Sequence, residues 1–514
     1  MMRRLLVLAL LASCASTLHA QTAAPLKRAA ATITAQDLQR RIGIIADDSM
    51  MGRNTPSPGL EKTAKYVADQ FRQFGLKPAG ENGTFFQRYV ISQRRISPTT
   101  SHVGFMIHGK HLRVELDHDA RFVFGAVPAA PVHAPAILLG GAYTAEDAAR
   151  LPAKGKAVLL VMDYRKPLTP ATNATLGALG RSGAAGIILV SNRDSATFSN
   201  RVANQAGIRR GVDGAEEVPL PIVEVHERAL GEAMTEAGVS LDEIRASANA
   251  VTRDLPELII GFGLEDQVLD SVSAPNTIGI LEGSDPVLKR EYVVFSAHMD
   301  HVGTSGGGEC QARGGDTICN GADDDGSGTV SVVELAEAFS QPGARPKRSM
   351  IFMTVSGEEK GLWGSNYFTG HPTVPISQIV ADLNIDMIGR NWKDTVVAIG
   401  KEHSDLGQTL NRVGAAHPEL HMAPIDDRWP EENFYFRSDH YNFAKRGVPI
   451  LFFFTGTHPD YHQVTDSPEK IDAEKQARIV QLLFYLGQEV ANGRDRPKWN
   501  PDSYAKIVEQ KPAS

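Results

Sequence analysis

Cysteine is nearly absent: the 514 residues contain three. Cys14 lies close to the N-terminus, and Cys310 and Cys319 stand nine residues apart in a Gly-rich stretch. Excess positive charge is also missing. The formal net charge is −7 and the sequence pI about 6.2. No long basic run interrupts that balance, which argues against a nucleic-acid partner, since nucleic acid attracts basic faces. Long hydrophobic runs are lacking too. The apolar stretch Leu5–Ala12 is too short to span a bilayer, and no other segment reads as transmembrane. No internal repeat is evident. What remains is ordinary for a globular protein, with 42% hydrophobic and 22% charged residues. At 514 residues the chain exceeds the size at which single cores stop growing, so two domains are expected.

The N-terminus has the form of a secretory signal. Arg3 and Arg4 precede Leu5–Ala12, and small residues and Gln21 follow. Three processing readings compete: cleavage after Ala20, cleavage after Ala15, or a lipobox Leu11-Ala12-Ser13-Cys14 that would leave a lipid on Cys14. The first reading makes residues 1–20 a signal peptide and the protein periplasmic or extracellular. Only the third would bring it to a membrane. Export places the chain in an oxidising compartment, where Cys310 and Cys319 can close a disulfide; the alternative is two free thiols.

Helical spacing marks Ala35–Asp47 and Gly59–Phe74, the latter with Ala64, Val67, Ala68 and Phe71 on one side and Gly75 as its stop. Thr84–Ser92 has strand-like content. From about 115 to 255 the chain turns rich in Ala, Gly and Val. Short apolar runs appear there at Ala136–Leu139, Ala157–Met162, Gly186–Val190 and Ile222–Val225, with helical stretches at Ala171–Ser182 and Glu227–Ala237. Few clustered His, Asp or Glu residues of catalytic type occur, so this region reads as a separate α/β or β-rich module without chemistry of its own. From Asn276 onward strands and helices alternate. Strands are expected at Glu291–Ala297, Ser349–Val355, Ile379–Asp386 and Val448–Phe454, and helices at Ser327–Phe339 and Lys475–Asn492. That alternation predicts an open α/β sheet with helices on both faces.

Metal-capable residues sit where those strands end. His298-Met299-Asp300 follows the first, Gly357-Glu358-Glu359 the second, Asp386 closes the third, and His462 lies shortly beyond the fourth. The carboxyl ends of strands form the binding crevice of open α/β sheets, so these groups should converge. Asp323-Asp324-Asp325, before Gly326-Ser327-Gly328, adds a fifth group at a helix start, where three adjacent carboxylates repel unless a cation or the helix dipole offsets them. Imidazole and carboxylate donors suit Zn, Mn or Co. Five ligands exceed the three that one catalytic zinc takes, so two metals sharing a carboxylate fit better.

Taken in order, His298-Met299-Asp300-His301, Asn320-Gly321-Ala322-Asp323-Asp324-Asp325-Gly326-Ser327-Gly328, Ser356-Gly357-Glu358-Glu359, Asn384-Ile385-Asp386-Met387 and Asp460-Tyr461-His462 resemble the zinc exopeptidase family of bacterial leucyl aminopeptidases, glutamate carboxypeptidases and glutaminyl cyclases. The resemblance covers about 34–110 and 260–490. It implies two zinc ions per chain, other divalent transition metals being alternatives. His298 and Asp386 would hold one, Glu359 and His462 the other, and Asp324 would bridge them. It further implies Glu358 as the general base toward a metal-activated water, Asp300 as the residue fixing the His298 ring, and Tyr461 as a donor to the oxyanion. Arg437-Ser438-Asp439-His440-Tyr441 resembles a family segment near the pocket, which makes Arg437, Asp439 and His440 candidates for substrate contact or for structural hydrogen bonding. The acidic segment around Trp429, Asp426 to Glu432, is a further candidate for the pocket wall.

The implied fold is a three-layer α/β/α sandwich with a mixed, mostly parallel sheet. It would be interrupted by a smaller module resembling a protease-associated domain, on the strength of the stretches at 183–190 and 219–223. The expected segments are 33–114 and 256–494 for the peptidase domain, 115–255 for the insert and 495–514 for a polar tail. The implied activity is that of a secreted aminopeptidase acting on peptides with a free N-terminus. Carboxypeptidase, glutaminyl cyclase and a non-catalytic binding ectodomain are the alternatives. Two decoys are set aside. His226-Glu227-Arg228-Ala229-Leu230 has Leu230 where a metalloprotease helix needs its second His. Gly303-Thr304-Ser305-Gly306-Gly307 runs into further glycine rather than the helix a nucleophile elbow requires.

Overall fold

The computed structural model describes residues 24–97, 99–116, 118–166, 170–204, 208–214, 220–307 and 309–509. The signal-peptide readings and Cys14 lie outside the described residues. The chain divides into two compact units. The first is built from the segments up to Val90 and from Ser273 onward, the second from Ile91–Val272. The second unit is wider than the expected 115–255, because strands on both flanks of that stretch pair within its own sheet: His102–Ile107 with Lys110–Glu115, and Ala250–Gly263 with Val132–Gly141.

The sheet of the first unit contains β1 (Asp266–Leu281, whose Thr277–Leu281 pairs here), β2 (Tyr292–His298), β3 (Ser349–Val355), β4 (Ile379–Ile385), β5 (Thr395–Ile399), β6 (Ala423–Ile425) and β7 (Ile450–Phe454). They lie in the order β6-β5-β7-β4-β2-β3-β1. The four central strands, β7, β4, β2 and β3, are mutually parallel, while β5 and β1 run antiparallel to their neighbours β7 and β3. The sheet is therefore mixed with a parallel centre, as expected.

Burial on both faces explains why these strands read as continuous apolar runs. On β2, Val293, Phe295 and Ala297 enter one core and Val294 the other, following the two-residue period of a strand. The first core is completed by α1 (Ala35–Ile45), α2 (Pro58–Gln73), α3 (Gly326–Ser340) and α4 (Ala473–Asn492), which contribute Ile42, Phe71, Val332 and Leu483. The second core takes Phe368 and Phe443 from two shorter helices, Trp363–Gly370 and His440–Ala444. It also takes Ile507 from a helix at Pro501–Ile507. Residues expected to form a polar tail thus include a helix anchored by one apolar side chain.

The second unit has its own eight-stranded mixed sheet. Val132–Gly141, Ala157–Val161, Gly186–Ser191 and Ile222–His226 form its parallel run. Ala157, Leu159 and Val161 face one core while Val158 and Leu160 face another. Among the described residues, no helix is long and apolar enough to cross a membrane.

Candidate metal centre

The parallel centre of the first sheet brings four strand ends to one edge. β2 delivers His298 as its last residue, and β3 is followed by the turn carrying Glu358 and Glu359. β4 is followed by Asp386, and β7 by the loop bearing Tyr461 and His462. α3 begins at Gly326, directly after the three aspartates.

Those aspartates have three different surroundings. Asp325 caps α3. Its Oδ1 accepts from Gly328 N at 2.8 Å and Met387 N at 3.2 Å, and its Oδ2 accepts from His298 N at 3.1 Å. It therefore ties the helix to the ends of β2 and β4. Asp323 turns the other way, accepting from Gly389 N at 2.6 Å and lying 3.2 Å from His458 Nε2. Asp324 alone faces inward. Its Oδ1 is 3.3 Å from His298 Nε2, and its Oδ2 is 3.2 Å from His462 Nε2 and 3.5 Å from His301 Nδ1. Helix capping and outward pairing thus remove two of three like charges from the cluster expected at this helix start.

Two groupings result. His298, Asp324 and Asp386 form one; His301, Asp324, Glu359 and His462 form the other. His298 Nε2 lies 3.6 Å from Asp386 Oδ1, and His462 Nε2 lies 3.1 Å from Glu359 Oε2. The five residues expected as ligands are gathered here, and His301 joins them. Most of these groups are deeply buried, His462 being partly exposed, yet Asp324 Oδ2, Asp386 Oδ1 and His462 Nε2 make no hydrogen bond. Burying such atoms unpartnered is costly, and a divalent cation offsets that cost. The all-nitrogen-and-oxygen donor set suits zinc.

Electrostatics follow the same division. Burial pushes the Asp324 carboxyl up, but His301, His298 and His462 outweigh it and hold it well below the usual range. Burial raises Glu358 well above the ordinary glutamate value; His298 opposes that rise, and Glu359, Asp439 and Asp386 add to it. Glu358 Oε2 lies 3.9 Å from His298 Nε2.

Asp300 is fully buried. Its Oδ2 accepts from Thr55 Oγ1 at 2.9 Å and its Oδ1 from Glu358 N at 3.2 Å. His298 Nδ1 is 3.2 Å from the Asp300 carbonyl and 3.6 Å from the carboxylate. The hydrogen-bond partner of the ring is therefore the backbone of Asp300, while its carboxylate secures the turn that carries Glu358.

A cavity opens beside the first grouping. His298, Asp324, Glu358 and Asp386 line it together with Phe434, Arg437, Ser438, Phe452, Phe454 and Tyr461. Trp429 packs against Phe434 and Phe454 with ring centroids 5.8 and 5.7 Å away, so it braces the aromatic wall. Tyr461 stacks on His462 at 3.9 Å; burial, reinforced by Asp324 and Glu359, keeps its phenol protonated. Of the three contact candidates, Arg437 alone lines the cavity, half-exposed above the Phe434 ring. His440 is buried with Nε2 2.8 Å from the Tyr435 carbonyl, and burial pushes it down to about 3. Asp439 is buried, which raises it to about 7. The Gly-rich loop is closed by a disulfide between Cys310 and Cys319, with Cα atoms 5.8 Å apart.

Sequence reasoning missed several supports. Arg53 is fully buried and donates to the carbonyls of Met299, Ile45, Asn320 and Gly321 at 2.5–2.9 Å, clamping the end of α1 to the loop after β2 and the loop leading to Asp324. Asp466 accepts from the backbone amides of Asp323 and Asp324 at 3.1 Å, and burial raises it to about 6. Nothing local marks either residue; only the folded chain brings them to the site. Ser438, which donates to Asp386 Oδ2 at 3.0 Å, had a local signal in its position beside Arg437.

Residues 276–487 match the family model of peptidase family M28. Among curated proteins, leupeptin-inactivating enzyme 1 of Streptomyces exfoliatus is 28% identical over 215 residues, 41% of this chain and 42% of that protein. A probable leucine aminopeptidase of Arthroderma benhamiae is 28% identical over 215 residues, 40% of this chain and 56% of its own length. A vacuolar membrane protease of Tuber melanosporum is 29% identical over 141 residues, 27% of this chain and 13% of that protein. The chain thus spans 42%, 56% and 13% of the length of these relatives. Among solved structures, a zinc aminopeptidase from Bacillus subtilis is 18% identical with a TM-score of 0.45, covering 90% of this chain and 97% of that one.

Proposed function

We propose, from the premise that the chain carries a peptidase family M28 domain at 276–487, that it is an exported two-zinc aminopeptidase hydrolysing the N-terminal bond of peptides. The observation that carries this reading is Asp324, whose two oxygens face two different ligand sets, with Glu358 in the cavity beside them. His298, Asp324 and Asp386 would hold one ion, and Asp324, Glu359 and His462 the other. Bound there, two divalent ions would polarise the scissile carbonyl and lower the pKa of the attacking water.

The remaining chemistry falls to side chains. Glu358 takes a proton from the water as its oxygen bonds to the carbonyl carbon. It returns that proton to the amine nitrogen as the C–N bond breaks. A carboxyl raised by burial suits the interval in which Glu358 carries the proton. The Tyr461 phenol, kept protonated, donates to the oxyanion. The substrate's free ammonium group would sit in this acidic cavity beside the metal-capable residues, which restricts cleavage to one end of the peptide.

One observation favours a second reading. The Arg437 guanidinium at the cavity could take a terminal carboxylate, as a carboxypeptidase requires. The Cys310–Cys319 disulfide supports export, since such bonds persist in oxidising compartments. The unit at Ile91–Val272, where the two stretches that resemble a protease-associated domain lie, is read as that module, without chemistry of its own.

A panel of short peptides with free and with N-acetylated ends tests the activity, with zinc measured on the same sample. Release of N-terminal residues from unblocked peptides only, at about two zinc per chain, is the expected result. Cleavage of blocked peptides from the C-terminus would move the protein to the second reading, and absence of both zinc and hydrolysis would overturn the enzyme reading.

A further inference from the structure

His301 follows His298 by three residues, and its ring is completely buried. Its Nδ1 lies 3.0 Å from Glu359 Oε1 and 3.5 Å from Asp324 Oδ2. His462 Nε2 lies 3.1 Å from the other Glu359 oxygen, Oε2, and 3.2 Å from the same Asp324 Oδ2. One donor atom from each of these four residues falls within 4.8 Å of all the others. Zinc bound tetrahedrally at about 2.0–2.1 Å spaces its ligand atoms about 3.3 Å apart, close to the 3.0–3.5 Å of the four histidine-to-carboxylate distances. The His301 ring is also held from behind: a Cβ on Gly321 would come within 2.5 Å of its Cγ and Cδ2. Its rotamer is therefore set by packing before any ion arrives.

We propose that His301 is a fourth protein ligand, through Nδ1, of the metal held by Asp324, Glu359 and His462. The inference rests on the two-metal reading and makes its two sites unequal. The set His298, Asp324 and Asp386 offers three protein donors, the number an open catalytic site has. The set with His301 offers four, with His462 partly exposed. The cavity agrees with that division. It is lined by His298, Asp324 and Asp386, and by none of His301, Glu359 and His462. Substrate then enters on the three-donor side, and the added donor holds the shared Asp324 more firmly.

The test is X-ray absorption at the zinc edge of the full-length holoenzyme, counting imidazoles, joined to graded chelation of the same protein. With His301 bound, three imidazoles serve two zinc ions, an average of about 1.5 each; without it the average is about 1.0. Chelator should strip one zinc well before the other. In His301→Gln the imidazole average should fall to about 1.0, and the retained zinc should weaken by more than about 100-fold, beyond the 10–100-fold that loss of an outer hydrogen bond costs. Two zinc ions averaging one imidazole in the unmodified protein would overturn the proposal alone, leaving His301 as a hydrogen-bond donor to Glu359. A protein that binds no zinc would overturn the two-metal reading with it.

Discussion

The two units solve the same architectural problem and leave opposite results at their strand ends. Each has four parallel strands buried on both faces, so each brings polar residues to one edge of its sheet. In the unit at Ile91–Val272 the charged rim residues find partners in the protein, while the Ser191 hydroxyl does not. Asp163, two residues past one strand, accepts from Asn192 Nδ2 at 2.9 Å and from Arg165 Nε at 2.7 Å. His226, the last residue of another, has Nε2 2.8 Å from the Arg193 carbonyl and its ring edge against Phe198. In the first unit the corresponding carboxylates and imidazoles converge with unpartnered oxygens and nitrogens. Both metal-capable groupings among the described residues lie there. A parallel sheet supplies the place, and the choice between a hydrogen-bonded rim and a metal centre is made by whether the rim residues find partners in the protein.

The comparison can be broken most severely at Asp324. Asp324→Ala removes the carboxylate common to both groupings, and metal content should fall from about two ions per chain to below one, with activity lost. Full occupancy in the variant would end the bridging role. A smaller effect is expected at Glu358, which lines the cavity and stands outside both groupings. Glu358→Gln should keep both metals while turnover drops about 10²–10⁴-fold; unchanged turnover would mean that another group moves the proton. The smallest effect belongs to the satisfied rim. His226→Ala should cost about 1 kcal/mol through the lost hydrogen bond, read by denaturant unfolding, with zinc content and turnover unaltered. A loss of zinc in that variant would show that the two rims are not as different as their hydrogen bonds indicate.

The sequence carries much of this because ligands at strand ends are written locally. Ser349–Val355 was legible to the residue, as a seven-residue apolar run bounded by polar turns. Asp386 was legible as a carboxylate closing such a run. The short strands Thr395–Ile399 and Ala423–Ile425 offered too few residues for a period to show. The borders of the second unit were blurred because edge strands such as Lys110–Glu115 look alike whichever sheet they join. His301 was visible as a letter in a motif, but its ring position depends on Gly321 and Glu359, which only the folded chain brings beside it. Arg53 and Asp466 hold backbone carbonyls and amides, and such partners leave no trace in residue pattern.

The division of the first unit into two chain segments sets an order of assembly on the ribosome. Domains form as units, those nearer the N-terminus first during synthesis. All of Ile91–Val272 has been made before His298, the first of the metal-capable residues, is translated. α1 and α2, made before that unit, must wait for their partners, since their core residues Ile42 and Phe71 pack with Val332 of α3 and Leu483 of α4. The candidate metal centre cannot be assembled until His462, the last of its residues in the chain, has emerged. A chain stalled in between would hold one finished unit and two orphaned helices with their apolar faces in water, the stage at which nascent protein is most exposed to aggregation and to chaperones.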